Sequence, residues 1–426
     1  MNILFENIRI INPVQQLDNI YNLHIVDGTI VSCDASSPKG ADVQIIDGSN
    51  LVAAPGFLDM HVHLRDPGFT GKETLFSGAA AAANGGFTEI VCMPNTSPTI
   101  DDVTVVEYIK SKSSSLPVSI RISAAITKNR EGATLAPMLE LHESGVEYFT
   151  DDGSCVSSAE VMRRAFDFAA TRDLLLAQHC EEHTLTTDFS ANESELSFQL
   201  GLRGYPRIAE EIIIERDVRL AEYTGNRRYH VQHISTAGAV EIIRASKAKK
   251  LRVSCEVAPH HFYFTDEKIK TYDANFKMNP PLRKQSDIDA ILAGLRDGTI
   301  DCIASDHAPH SLYDSDVEFE KAPNGIIGLE TEIGAVLTKL YHQENFSLNK
   351  IIELLAINPR KIMQIPQIKI NVGEKANLTI FAPEETWTVD TNKFLSKSRN
   401  TPFAGIKFQG KPKYIINKNQ FVISNL

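Results

Sequence analysis

From Pro55 onward, eight short apolar runs rich in β-branched and aromatic residues alternate with helical patterns. They are Gly56–His63, Thr88–Asn95, Val118–Thr127, Val146–Asp152, Leu174–His179, Arg228–His233, Arg252–His260 and Ile300–Asp306. Strand-like runs alternating with helices are the mark of βα units laid into a parallel sheet. Eight such units predict a closed (β/α)8 TIM-like barrel. The helices between them carry their own punctuation. Thr74–Asn84 is Ala-rich and stops at Gly85-Gly86, a C-cap signal. Ser157-Ser-Ala-Glu160 reads as a capping box opening a helix that runs to about Arg172. Ile208–Tyr223 stops at Gly225, and Ser286–Arg296 stops at Gly298. The barrel is expected over residues 55–365, longer than the ~250 residues typical of the architecture, which leaves room for long loops.

The chain has 426 residues, more than one domain usually holds. Before the barrel, Ile3-Leu-Phe, Ile8-Arg-Ile-Ile, Asn22-Leu-His-Ile-Val and Thr29-Ile-Val read as strands, with a hairpin at Asp27-Gly28. His24 falls in one of them as an ordinary strand residue. After the barrel the chain turns β again, at Ile368-Lys-Ile, Asn377-Leu-Thr-Ile-Phe, Thr386-Trp-Thr-Val, Lys413-Tyr-Ile-Ile and Gln420-Phe-Val-Ile. Because domain termini tend to meet in space, segments 1–54 and 366–426 are expected to form one small β-sandwich domain.

Polar residues collect at the C-terminal ends of the eight runs: His61 and His63, Asn95, Asp152, His179, His233, His260 and Asp306. That end of a barrel is where active sites are built. His61 and His63 are two apart, so on a strand both rings share a face and can grip one divalent ion. His179 and His233 add two more nitrogen donors. Asp152 can bridge two ions, while its neighbour Asp151 should point elsewhere and support the site from behind. A water held between two such ions ionises near neutral pH. Asp306, at the end of the last run, can take a proton from that water and return it to a leaving nitrogen. Arg65, Asn95 and His310 can bind a carboxylate by charge-assisted hydrogen bonds, and Asn279 follows the seventh run. These parts suit hydrolysis, or its reverse, of an amide-like bond. His142, His183, His230, His260, His261, His307 and His342 receive no role. Helical or surface placement is expected for most of them, and His307 could brace the site.

Composition narrows the partners. A net charge of −11 argues against nucleic acid or an anionic membrane as a partner, and no run approaches the ~20 apolar residues needed to span a bilayer. The first residues, Met1–Asn7, lack the basic start and apolar stretch of a secretory signal. Six scattered cysteines without a Cys-x-x-Cys pair fit a reduced, cytoplasmic setting. A homodimer is expected from the commonness of two-fold assembly.

These residues resemble the amidohydrolase superfamily and, within it, the dihydroorotases. The resemblance runs through Asp59-Met-His-Val-His-Leu-Arg-Asp-Pro-Gly68, Met93-Pro-Asn-Thr96, Phe149-Thr-Asp-Asp-Gly153, Gln178-His-Cys-Glu181, His233-Ile-Ser-Thr236, Phe276–Arg283, Ser305-Asp-His-Ala-Pro-His310 and Gly373–Phe381. It implies reversible cyclisation of N-carbamoyl-L-aspartate to L-dihydroorotate plus water, in de novo pyrimidine synthesis. It implies zinc, one ion or two with two expected, held by His61, His63, Asp152, His179 and His233. Asp306 carries over as the proton shuttle and as a residue of the metal site. Arg65, Asn95, Asn279 and His310 carry over as substrate contacts, with Asn324 and Gly325 contributing backbone contacts. The common form of the family has Phe-Gly at this last position, so Asn324 is a departure. Many relatives bridge their metals with a carboxylated lysine on the fourth strand. Thr150-Asp-Asp-Gly153 stands there instead, which points to an aspartate-bridged branch. The polar stretch 311–321 is expected to close over substrate.

Two other readings remain at this point. One is a related hydantoinase- or allantoinase-type cyclic amidase. The other is an inactive dihydroorotase-like scaffold supporting a transcarbamoylase, an association open even to an active enzyme. An inactive scaffold should have lost metal ligands, and a neutral substrate would not need Arg65.

Overall fold

The computed structural model describes residues 1–35 and 42–426. Each of the eight apolar runs forms a strand: Phe57–Val62, Phe87–Cys92, Ser119–Ala124, Tyr148–Thr150, Leu176–Gln178, Tyr229–Val231, Val253–Val257 and Cys302–Ile303. They pair in sequence order, all parallel. A parallel bridge between Val62 and His307 joins the first strand to the eighth and closes the barrel. Ser305 reinforces that seam, its hydroxyl donating to Asp59 Oδ2 at 2.5 Å. The strands are short and almost wholly buried, as a sheet covered by helices on the outside and filled by side chains within requires.

The helix signals translate into structure with small shifts. Leu75–Gly85 is capped by Thr74 and ends at Gly86, whose φ of 95° favours glycine. The helix after the fourth strand, Ala159–Ala169, is capped by Ser158 rather than Ser157. Ile208–Tyr223 forms as expected, and the helix expected over Ser286–Arg296 runs one residue further at each end, Gln285–Asp297. Among the described residues no helix is long and apolar enough to cross a membrane.

The two terminal segments share one eight-stranded sheet. Val52–Pro55, just before the barrel, pairs antiparallel with Leu378–Thr388, just after it. The sheet curls into a sandwich. Phe5 on the first strand meets Tyr414 and Phe421 on the last two, with ring centroids 5.9 and 6.3 Å away, although those strands are not its neighbours. The runs at Ile3 and Ile8 form one strand, Asn2–Asn12, with a bulge between Phe5 and Ile8 where Asn7 adopts φ 58°. Ile368–Ile370 is not a strand. Ile370 is buried, but its N–H donates to Gln15 Oε1 at 2.7 Å instead of to a sheet neighbour. Asp27 and Gly28 turn the expected hairpin, both at positive φ.

Candidate active site

A cavity of about 260 Å³ opens at the C-terminal end of the barrel, a size for one small molecule. His63, Arg65, Asn95, Asp152, His179, His233, Asn279, Asp306, His310, Asn324 and Gly325 all line it. His61 is fully buried beside them, one residue inside the end of its strand.

Two clusters of ligand atoms meet on Asp152. His61, His63 and Asp152 form one, and Asp152, His179 and His233 the other. Asp152 Oδ2 lies 3.3 Å from His61 Nε2 and 3.4 Å from His63 Nε2. Its Oδ1 lies 3.5 Å from His233 Nε2. His179 Nδ1 is 3.0 Å from His233 Nε2. Asp306 Oδ1 approaches His63 Nε2 to 3.1 Å and His61 Nε2 to 3.5 Å. His61 Nε2 and Asp152 Oδ1 are buried and make no hydrogen bond among the described residues. Buried polar atoms are nearly always satisfied, so these orphaned atoms, converging with imidazole nitrogens, fit a site for one or two divalent cations.

What stands behind the histidines sets which nitrogen each presents. His61 Nδ1 donates to Glu256 Oε1 at 2.6 Å, leaving Nε2 facing the cluster. Glu256 also accepts from His230 Nε2 at 3.1 Å. His179 Nε2 donates to Glu181 Oε2 at 2.7 Å, leaving Nδ1. His63 Nδ1 donates to Asn95 Oδ1 at 2.8 Å. Carboxylates and amides in this position fix tautomer and ring orientation. Asp151 turns away and accepts from the Thr127 N–H at 3.0 Å. Burial by itself would raise the carboxyls of Asp152 and Asp306, but the adjoining histidines hold both below the usual carboxylate range, so both are ionised. Arg65, His233 and Asp306 have φ of 60°, 30° and 49°, a left-handed conformation that costs non-glycine residues energy and gathers at functional sites.

The other wall is built from loops. Burial pulls the Arg65 guanidinium down to about 10, which leaves it charged. Among the described residues it has no carboxylate within ion-pair distance, and its one hydrogen bond is a long contact to the Pro309 carbonyl at 3.4 Å. His310 is held neutral, down to about 4, by burial and the charge of Arg65. Its Nε2 donates to the Asn324 carbonyl at 2.9 Å, and Lys72 approaches its Nδ1 to 3.4 Å. Asn279 donates to Glu181 at 2.8 Å, and among the described residues its Oδ1 is left without a hydrogen-bond partner, as is Asn324 Oδ1. Gly325 gives its N–H to the Lys277 carbonyl at 3.0 Å and lines the cavity with φ 120°. Residues 311–321 are tied at both ends: Asp314 pairs with Lys72 at 3.2 Å, and Phe319 is buried beneath Lys277.

Several supporting residues escape sequence reasoning. Strand seven contributes Glu256, not His260, to the cluster. His260 and His261 lie buried on a short helix, Pro259–Tyr263, and burial lowers both, His260 to about 4. His230 is likewise buried, on a strand and not at the surface. His307 closes the barrel through its backbone, and its ring faces Glu73 at 3.4 Å. Arg130, overlooked in its loop, donates to the Asp152 carbonyl at 2.9 Å. An acidic residue following an apolar strand is the only trace that could have pointed to Glu181.

A closed parallel barrel with an imidazole–carboxylate cluster at its C-terminal mouth, flanked by a β-sandwich, is an amidohydrolase architecture. The whole chain superposes on L-hydantoinase from Arthrobacter aurescens with a TM-score of 0.88, covering 100% of this chain and 96% of that one at 22% identity. Dihydropyrimidinase from Brevibacillus agri gives 0.84 over 100% and 95% of the two chains at 20% identity. Residues 50–239 match the family model described as dihydro-orotase-like. The chain is 43% identical to a dihydroorotase of Geobacter sp. strain M21 over 99% of both chains. It is 42% identical to one of Chlorobaculum tepidum over 99% of this chain and 100% of the other. The chain belongs to the dihydroorotase family, enzymes that hydrolyse cyclic amides.

Proposed function

We propose that this protein interconverts L-dihydroorotate and N-carbamoyl-L-aspartate, a step of pyrimidine synthesis, with zinc held by His61, His63, Asp152, His179 and His233. The observation that carries the substrate is Arg65: a charged, largely desolvated guanidinium faces the cavity with no carboxylate partner among the described residues. A buried cation without a counter-ion is costly, and a carboxylate-bearing ring supplies one. A neutral hydantoin does not.

Divalent ions in the cluster would supply Lewis acidity toward the ring carbonyl and toward water. Arg65 holds the substrate carboxylate, with His310 lining the wall beside it, which turns the ring amide toward Asp152 and Asp306. Asn95 accepts from His63 Nδ1 on its Oδ1 and keeps its amide N–H groups for substrate. Asn324 and Gly325 offer carbonyl oxygens, each with a lone pair to spare for a ring N–H. In hydrolysis the oxygen of water bonds to the amide carbonyl carbon. The bond from that carbon to the ring nitrogen between the two carbonyls breaks. Asp306, ionised at the start, accepts the water's proton and delivers it to that nitrogen. Synthesis runs the same steps backward.

Purified, zinc-loaded protein should open L-dihydroorotate, read as loss of its ultraviolet absorbance, and lose that activity to a chelator. Turnover of hydantoin or allantoin without turnover of dihydroorotate would overturn the substrate assignment.

A further inference from the structure

The segment Ser396-Lys-Ser-Arg-Asn-Thr401 belongs to the C-terminal part of the chain, far in sequence from the barrel strands. Its composition is that of a surface loop. Yet Ser396, Ser398, Asn400 and Thr401 are all buried. Buried polar side chains need partners, and here those partners are the loops of the cavity wall. Ser396 donates to Glu73, which faces His307. Ser398 donates to the Lys72 carbonyl at 2.9 Å.

Asn400 makes the most specific of these contacts. Its Nδ2 donates to the Ala308 and Gly325 carbonyls, both at 3.0 Å. Its Oδ1 accepts from the His310 N–H at 3.2 Å. Its own carbonyl accepts from the Ile327 N–H at 2.9 Å. One carboxamide thus uses both of its N–H groups and its oxygen to lock two separate loops together. One loop follows the eighth strand and carries His310. The other carries Asn324 and Gly325. Aspartate has no N–H to give the two carbonyls, and an aliphatic side chain has neither donor nor acceptor.

We infer that Asn400 is a positioning residue for substrate: the C-terminal segment, through this amide, sets the distance between His310 and the Asn324-Gly325 edge of the cavity. The inference rests on the reading of that wall as the substrate's. It does not involve the metal cluster, since none of the groups Asn400 touches is a candidate ligand. Loss of the clamp should therefore weaken substrate binding and leave metal binding alone. A displacement of about 1 Å in a positioning group can cost ~100-fold.

The test uses the full-length, zinc-loaded protein and the variants Asn400→Ala and Asn400→Asp, with kcat, KM for L-dihydroorotate, zinc content and melting temperature measured on each. Expected is a KM raised ~10-fold or more, with kcat within about threefold of wild type and zinc content unchanged. Asn400→Asp should be the worse, because its carboxylate faces two carbonyl oxygens. If these variants fail to fold, Asn400→Ser, which retains a short donor, carries the same measurement. A folded, metal-replete variant with wild-type KM overturns the inference, and so does a fall in kcat that tracks loss of zinc. Wild-type protein inert toward dihydroorotate would instead sink the substrate reading beneath it.

Discussion

At the mouth of the barrel, buried polar atoms are left without partners among the described residues; at its base, a buried carboxylate has both oxygens taken. His61 Nε2, Asp152 Oδ1 and Asn279 Oδ1 are orphaned around the cavity. Near the start of the second strand, Glu89 accepts from Arg360 at 2.5 Å and Asn377 at 3.0 Å on one oxygen, and from Arg121 at 2.6 Å on the other. Both ends bury charge in the same sheet. At the base the chain supplies the whole counter-charge, so the cluster is complete when folding is complete. At the mouth it supplies donors and acceptors that an incoming ion or substrate would satisfy. Changes at the mouth should therefore be read in kinetics and changes at the base in stability.

The largest effect expected at the mouth is that of Asp306→Asn. It removes the proton carrier but keeps the shape, and kcat should fall ~10³-fold or more, about 4 kcal/mol of barrier, with metal content and melting temperature little altered. Zinc lost together with activity would mean that Asp306 serves chiefly to hold metal. At the base, Arg360→Ala takes from Glu89 its closest cation and leaves Arg121. Removing one partner of a buried pair costs ~3 kcal/mol or more, which should appear in denaturant unfolding. Measured below the unfolding transition, kcat and KM should stay at wild-type values. A large kinetic change in a folded Arg360→Ala protein would break the division between the two ends.

The ends also differ in how much the sequence reveals. Runs such as Leu174–His179 are legible because an apolar stretch that stops at a polar residue encodes both burial and its limit, and these are local properties. The imidazoles and Asp306 at those limits were visible for the same reason. Partners were not. Glu256 reaches His61 across 195 residues of chain and Asn400 reaches His310 across 90. In their own neighbourhoods one looks like a strand residue and the other like a loop residue. Bulges escaped as well: Asn7 splits the pattern of a single strand into what reads as two. Ile370 carries an apolar strand-like signal because it is buried, and burial alone does not supply a ladder partner.

Between the large kinetic effect and the small ones lies Glu256→Gln. Gln keeps an oxygen for His61 but loses the charge, and its NH2 takes the place of the oxygen that faces His230 Nε2. Loss of a carboxylate behind a metal-ligating histidine weakens metal binding 10- to 100-fold. Zinc affinity, measured by competition with a chelator, should drop by ~10-fold, while kcat at saturating zinc changes less. Unchanged affinity would show that the barrel itself, rather than Glu256, orients His61.

The smallest effect sharpens the base. Glu89 is buried, which alone would raise its carboxyl, but the charges of Arg360 and Arg121 with the hydrogen bonds of Arg121 and Asn377 hold it below its ordinary value of 4.5. A carboxylate depressed on folding binds fewer protons in the native than in the unfolded state. Its contribution is thus fully present above the unfolded value and is lost as pH falls through the lower, folded one. Unfolding free energy should therefore decline as pH drops below about 4.5. The decline should be shallower in Arg360→Ala, because without that guanidinium the folded and unfolded values of Glu89 lie closer together. Parallel pH profiles for the two proteins would mean that Arg121 alone holds the Glu89 charge, and that Arg360 acts mainly through its second bond, to the Ala356 carbonyl at 2.9 Å.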